Sequence, residues 1–417
     1  MSGTGETAGG GDERRGTALM EEHRRLGARL AEFAGWEMPL WYAGASDEHA
    51  AVRRAAGLFD IGHMGIIEIT GAEALRFADV VGTNAMSSLE VGRCRYTFLL
   101  DHDGLPLDDI IISRVGEDSL LAVVNAANAA KVWRWLDAIA AGRAPIDPAD
   151  PASAREFELT LRELSAPSAG ADRLTGMALQ GPASAELLAA LVTAAGGLPE
   201  LPRFALAETE LLGSAAIISR TGYTGESTGY EIFVHPEDAP DLWRAILKGG
   251  AERGVLPAGL AARDSLRIEA GLPLYGHELA GPHEITPSGA GYERFVDFDR
   301  EFFIGREALL RREQERGEQI VRFRLDRDGA RAIRGDDPVG SRRGQMVGRV
   351  TSCAPVGDTQ IGMAWVDRTM AREGTELLLY PARHLERSAD SRDVAALQPG
   401  DRLPMHEPAT VLPRFPR

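Results

Sequence analysis

Lysine is almost missing from this chain. Lys131 and Lys248 are the only two among 46 basic residues, the rest being arginines, so Schiff-base or lysine general-base chemistry has few candidates. Cysteine is equally sparse: Cys94 and Cys353 form no CxxC pair, which argues against a disulfide framework and for reduced thiols. There is no HExxH and no cluster of Cys and His at ligand spacing, so no metal site is expected. No apolar run reaches the roughly 18 residues of a membrane span, and the N-terminus lacks a basic stretch leading into an apolar one. The expectation is a cytoplasmic protein that does not use a membrane. A formal net charge of -16 argues against generic nucleic-acid binding, which needs positive potential toward phosphates. A local arginine patch can still hold an anionic tail.

A length of 417 residues leads us to expect two or three domains. The most informative stretch runs from Leu99 to Asn125. Asp103-Gly104 reads as a tight turn between apolar runs, followed by Leu107-Asp108-Asp109-Ile110-Ile111-Ile112, whose β-branched run predicts a strand. Side chains alternate faces along a strand, so Asp108 and Asp109 cannot share one surface, and one carboxylate tends toward the interior. Two readings follow: Asp108 in the turn with Asp109 partly exposed, or a carboxylate displayed inside a pocket to an N–H-bearing ligand. Tyr96 comes within reach of Asp109 if the flanking strands pair antiparallel. Asn125 offers both a donor and an acceptor to a heterocycle edge, and Asn128 stands where it can cap a helix from Ala129 to Ile139.

Along the chain, residues 1 to 16 read as disordered and 17 to 32 as an amphipathic helix, leading into an aromatic loop from Phe33 to Tyr42. His63, in a glycine-interrupted strand entry, is read as an ordered hydrogen-bonding histidine rather than a base or metal ligand. Three glycines in Ser219 to Gly229 imitate a phosphate loop but lack GKS or GKT, so nucleoside triphosphate binding is rejected. A substrate wall carrying Tyr223 and Glu231 is the better reading. Arg263 and Arg267 lie four apart on a predicted helix; either one pairs internally while the other meets an anion, or both pair with Asp264 and Glu269. From Gln319 onward, short strands and glycine turns predict a compact all-β module.

Together these segments resemble the aminomethyltransferase, or T-protein, of the glycine cleavage system and its wider tetrahydrofolate-dependent family. The resemblance runs from about Gly27 to Met370. It rests on FAGWEMPLWY at 33 to 42, EH with AVR at 48 to 53, GLFDIGHMG at 57 to 65, YTFLL and DGLPLDDIIISR, VVNAAN, ALQGP, SRTGYTGE with YEIF, AGLAARDSLRIEAGLPLYGHE and FIGREAL. It implies an α+β, three-domain, cloverleaf-like fold around a central folate cavity, ending in a β-barrel. The expected limits are a disordered extension over 1–16, a folate-binding core of two intertwined α+β domains over 17–315, a barrel over 316–400 and a loose tail over 401–417.

The same resemblance assigns Asp109 as the catalytic carboxylate and Met64, Tyr96, Asn125, Tyr223, Glu231 and Arg263 as folate contacts. Tyr292 and, through an arginine ahead of Pro338, Arg334 are donor-side candidates. It implies an enzyme that moves a one-carbon unit from the aminomethyl-lipoyl arm of a carrier protein to tetrahydrofolate, releasing ammonia. A related methyltransferase or demethylase acting on a free small molecule, and a non-catalytic folate-binding scaffold or iron-sulfur-assembly factor, are the alternatives. The chain departs from the family pattern at Ser288-Gly289-Ala290-Gly291-Tyr292, at the GYTGE loop and at Cys353, segments expected to border the donor entrance.

Overall fold

Three groups of alternating or β-branched segments form the three larger of four sheets in the computed structural model, which describes residues 15–382, 396–402 and 406–416. The first sheet is antiparallel, in the order Cys94–Leu100, Pro106–Gly116, Ser119–Val124, Gly65–Thr70 and Thr160–Glu163. Its core face carries Ile67, Ile69, Leu99, Ile110, Ile112 and Leu120. The helices Ala74–Val81 and Ala129–Ala140 close over that face with Phe77, Val132 and Leu136. The second sheet runs Leu206–Leu211, Ser214–Ser219, Gly229–Val234, Thr175–Gln180, Gly57–Asp60 and Leu256–Pro257, the last pair being parallel. Trp243 and Ile246 of the Ala239–Gly250 helix pack onto Leu58, Met177, Leu179 and Ile232 there.

The third sheet closes on itself as a barrel, in the order Glu318–Leu325, Thr359–Asp367, Met346–Val356, Pro338–Ser341, Glu376–Leu379 and Glu407–Leu412. Closure removes unpaired strand edges, and Phe323, Val339, Leu377 and Val411 fill the interior. A further cluster stitches the units together: Phe98 and Leu100 of the first sheet, Ile268 and Tyr292, and Met363 and Trp365 of the barrel are buried against one another. The chain is α+β with a C-terminal β-barrel, as expected. Among the described residues no helix is long and apolar enough to cross a membrane.

Several local expectations are corrected. The predicted helix over 17–32 is confined to Met20–Arg25; the chain reverses at Gly27 with φ of 71°, and Arg29–Phe33 pairs with Trp36–Trp41 as a hairpin. The aromatic stretch is therefore regular structure, turned by Gly35 at φ of 81°. The Arg15 carbonyl accepts the Glu37 N–H at 2.9 Å, so the disorder expected over 1–16 does not extend to its last two residues, and 1–14 lie outside the described residues. The loose tail over 401–417 is also overturned, because Glu407–Leu412 completes the barrel between Glu318–Leu325 and Glu376–Leu379. Its alternation of buried Glu407, Ala409 and Val411 is a strand pattern hidden by flanking prolines. In the central hairpin the turn is held by Asp101, whose Oδ1 accepts the N–H groups of Asp103 and Leu105, rather than by Asp103 itself.

Candidate functional site

Period-two alternation along Pro106–Gly116 is what builds the site. Asp108, Ile110 and Ile112 are buried on one face, while Asp109 and Ile111 take the other and border a cavity of about 220 Å³. The strand pairing sets Phe98 opposite Asp109. Tyr96, two residues earlier on the same face, reaches the carboxylate diagonally, and its hydroxyl donates to Asp109 Oδ2 at 2.7 Å. Of the two sequence readings, the pocket-facing carboxylate is the one observed.

Asp108 is fully buried and is held by amides alone. The Asn125 backbone N–H donates to its Oδ2 at 3.0 Å, and Asn125 Nδ2 and Asn128 Nδ2 donate to Oδ1 at 2.9 and 2.6 Å. Asn128 does occupy the N-cap position of Ala129–Ala140 but makes no side-chain cap; the buried carboxylate takes its amide instead. Asn125 Nδ2 also lies 3.2 Å from Asp109 Oδ1, so one amide nitrogen spans both acids. With its nitrogen so engaged, Asn125 leaves its carbonyl oxygen without a protein donor among the described residues, at the cavity lining. Burial first, and then the neighbouring Asp108 charge, push the Asp109 carboxyl well above the usual carboxylate range, against the Tyr96 and Asn125 hydrogen bonds. Burial raises Asp108 as well, but less, because three amide donors favour its charged form.

The second sheet supplies the opposite wall. Glu231, in register with Ser219, accepts a hydrogen bond from the Thr221 hydroxyl. Burial raises its carboxyl, and Thr221 and Arg263 pull the other way. Arg263 projects from the helix Leu260–Glu269, with its guanidinium carbon 5.2 Å from the Tyr223 ring centre. His63 Nε2 accepts from Arg263 Nη1 at 3.3 Å. Burial, together with the Arg263 charge, drops the His63 imidazole to about 3, so it is neutral and bears its proton on Nδ1, which has no partner among the described residues. Arg267 faces the other way and is consumed internally, pairing with Glu278 at 2.6 Å and Asp264 at 2.8 Å and donating to Ser352 Oγ at 2.7 Å. Glu269 bonds Arg53 and His49, so the two arginines split between site and scaffold.

The remaining wall is aromatic. Tyr292 and Phe295 stand with ring centres 5.7 and 4.7 Å from Tyr96. Phe415 packs behind Tyr292, and Arg414 donates to the Ala290 carbonyl at 3.0 Å. Tyr223 is fixed by its hydroxyl on the Pro273 carbonyl at 2.5 Å. Lys131 donates to the Tyr275 hydroxyl at 2.8 Å at another part of the lining.

The cavity thus gathers Met64, Tyr96, Asp109, Asn125, Tyr223, Glu231, Arg263 and Tyr292. It does not include Arg334, which is exposed on the barrel with its N–H on Asp337 at 2.9 Å; its neighbour Ile333 is the side chain that turns into the barrel core. Sequence reasoning missed the amide clamp on Asp108, the Thr221 contact to Glu231, and Arg203, Arg220 and Arg294 on the lining. The adjacent acids followed at fixed spacing by two asparagines were a visible signal for the first. Nothing local marked Arg414, which arrives from the far end of the chain.

Among the described residues no group of three or more His, Cys, Asp or Glu is placed to hold a metal ion. Residues 19–300 match the family model described as the GCVT N-terminal domain, and 318–383 match the glycine cleavage T-protein C-terminal barrel domain. An aminomethyltransferase of Streptomyces avermitilis is 42% identical over 366 residues, covering 87% of this chain and 91% of that protein. One of Symbiobacterium thermophilum is 40% identical over 370 residues, covering 87% and 92%. The crystal structure of the glycine cleavage system aminomethyltransferase T from Bartonella henselae superposes with a TM-score of 0.76 at 30% identity, covering 96% of this chain and 97% of that one.

Proposed function

This chain belongs to the glycine cleavage T-protein family of aminomethyltransferases, folate-dependent one-carbon transfer enzymes, and from that premise we propose that it transfers a one-carbon unit from the aminomethyl-lipoyl arm of a carrier protein to tetrahydrofolate, with release of ammonia. The observation that carries this reading is one partly open cavity with Asp109, the free Asn125 carbonyl, Glu231 and Arg263 disposed around aromatic and aliphatic walls. Such a cavity fits a reduced pterin: flat apolar walls for the ring and a few acceptors for its N–H edge. Tetrahydrofolate, when bound, supplies the nitrogens that accept the carbon.

The roles of the side chains follow from their chemistry. Glu231 and the Asn125 carbonyl accept from the pterin edge, and Met64 and Tyr223 pack on its faces. Arg263, with no carboxylate partner in an ion pair among the described residues, offers its charge to an anionic part of the ligand. Asp109 faces the reacting nitrogens, orients them by hydrogen bonding and is placed to exchange a proton with them. The aromatic wall of Tyr96, Tyr292 and Phe295 makes that side of the cavity apolar, which strengthens each of these interactions. Tyr292 also fronts the donor side.

The test incubates the protein with tetrahydrofolate and either an aminomethyl-lipoylated carrier or free methylamine-type donors, and measures folate product and ammonia. Methylene-tetrahydrofolate and ammonia formed with the carrier alone support the proposal. Product formed only with a free donor replaces it with the demethylase reading, and binding of folate without turnover reduces it to a scaffold.

A further inference from the structure

Asp108 touches nothing in the cavity, yet it is the most heavily supported carboxylate in the first sheet. It is fully buried beside Ile110 and Ile112. It forms no ion pair among the described residues, and its two oxygens take three N–H donors from Asn125 and Asn128. A buried carboxylate without a cation is costly unless its charged form is hydrogen-bonded, and amides that donate but carry no charge stabilise that form while leaving its field unneutralised. The next residue along the strand is Asp109, and Asn125 Nδ2 lies within 2.9 Å of an oxygen of one acid and 3.2 Å of an oxygen of the other. Two adjacent carboxylates sharing one amide, with no cation between them, do not both ionise at neutral pH.

From this geometry we infer that Asp108 is a positioning residue: locked as the anion by the Asn125 and Asn128 amides, it obliges Asp109 to hold its proton at neutral pH, so that Asp109 enters the reaction as an acid. The asymmetry is structural. Asp108 has three amide donors, whereas Asp109 has the Tyr96 hydroxyl and a longer, shared contact to Asn125. The other titratable groups around Asp109 are Tyr96 from Cys94–Leu100, Tyr292 ahead of the short turn Glu293–Phe295, and Tyr223 from the glycine loop, all held neutral by burial. Across the cavity, Arg263 is drawn to Tyr223, Glu231 and Asp264. No cation pairs with either acid among the described residues, so nothing nearby cancels the Asp108 charge. The proton on Asp109 then points into the cavity or back to Tyr96, a donor at the place where the proposed reaction leaves a nitrogen to be protonated.

The identification of Asp109 with the reacting nitrogens rests on the function proposed above, but the protonation state does not, and it is read on the ligand-free protein. Infrared difference spectra or carboxyl-carbon NMR of aspartate-labelled protein, titrated from pH 4 to pH 9, are assigned with D109N. The expected result is one protonated aspartic acid at neutrality that disappears in D109N. In D108N it titrates at least about one pH unit lower, the size of shift that loss of a neighbouring charge produces. N128A, which removes one donor from Asp108 and leaves the cavity lining intact, moves the midpoint the same way by less, because charge passes from Asp108 to Asp109. With a working donor, D108N lowers kcat and shifts the pH profile to the acid side while folate KM changes little; a merely structural role leaves the profile in place. Asp109 ionised in the wild type at pH 7, or a midpoint unmoved in folded D108N and N128A alike, overturns the inference. If the titrations behave as expected but no folate product forms with any donor, the proposed function fails and the proton-sharing pair stands.

Discussion

At Asp109 a carboxylate oxygen is placed at the cavity with a tyrosine on one side and an amide on the other. Asn at this position keeps the size and most of the hydrogen bonding, so D109N is expected to melt within a degree or two of wild type while transfer falls by about 10²-fold or more, the usual contribution of a positioned acid or base. Rapid-quench measurement of folate product alongside a melting curve checks both halves. Arg263 is tested differently. R263M retains the apolar stem but gives up the charge, and its folate Kd is expected to rise by about tenfold or more, as for loss of a charge-assisted hydrogen bond, with kcat changed less; equilibrium titration reads it. The sequence exposed this level well in part. Adjacent acids on a period-two strand forced one of them inward, and Arg263 and Arg267 at helical spacing invited the split that is seen. It could not decide which arginine served which purpose, because Glu278, the partner that settles it, lies beyond the helix in a glycine-broken loop.

Elements are held in place by a few ionic links, some half-buried and one enclosed. The Leu260–Glu269 helix is tied to the Ala45–Arg54 helix through Glu269, which bonds Arg53 at Nε and Nη2 and faces His49 Nε2 at 3.2 Å. Burial pushes the Glu269 carboxyl up, but the His49 and Arg53 hydrogen bonds outweigh it and bring it from 4.5 to about 2. A depressed folded-state value means that its stabilisation is complete above the ordinary 4.5 and is lost as pH falls toward about 2. E269Q is therefore expected to flatten the loss of stability across that window, read by denaturant midpoints at stepped pH. The Arg267–Glu278 pair is almost wholly enclosed. Cutting either member alone, in R267M or E278L, is expected to cost about 3–5 kcal/mol, and the double variant less than the sum of the two, because neither charge is then stranded. Most strands were legible from alternation. The Arg29–Phe33 and Trp36–Trp41 hairpin was not, because its aromatic content hid the alternation and its turn rests on Ala34 and Gly35 at positive φ.

The whole molecule is organised by contacts of long sequence separation, and that is where the sequence was least readable. The barrel module announced itself by its change of style after Gln319, but its last strand, Glu407–Leu412, looked like a tail. Only its pairing to Glu318–Leu325 gives those residues a role. The same segment carries Arg414 and Phe415 onto the back of Tyr292, so the barrel and the aromatic wall share one support. Truncation after residue 405 is expected to abolish folate binding together with barrel folding, whereas R414A, with the strand intact, is expected to leave a folded protein with a loosened Tyr292 wall and weakened folate affinity. Circular dichroism melts and ligand titration separate the two. A strand that reaches its neighbour across about ninety residues also sets a timetable for synthesis. Until residue 412 clears the ribosome, one side of Glu318–Leu325 offers bare peptide groups to any passing chain, and shielding of the nascent polypeptide over that interval becomes a condition of its survival.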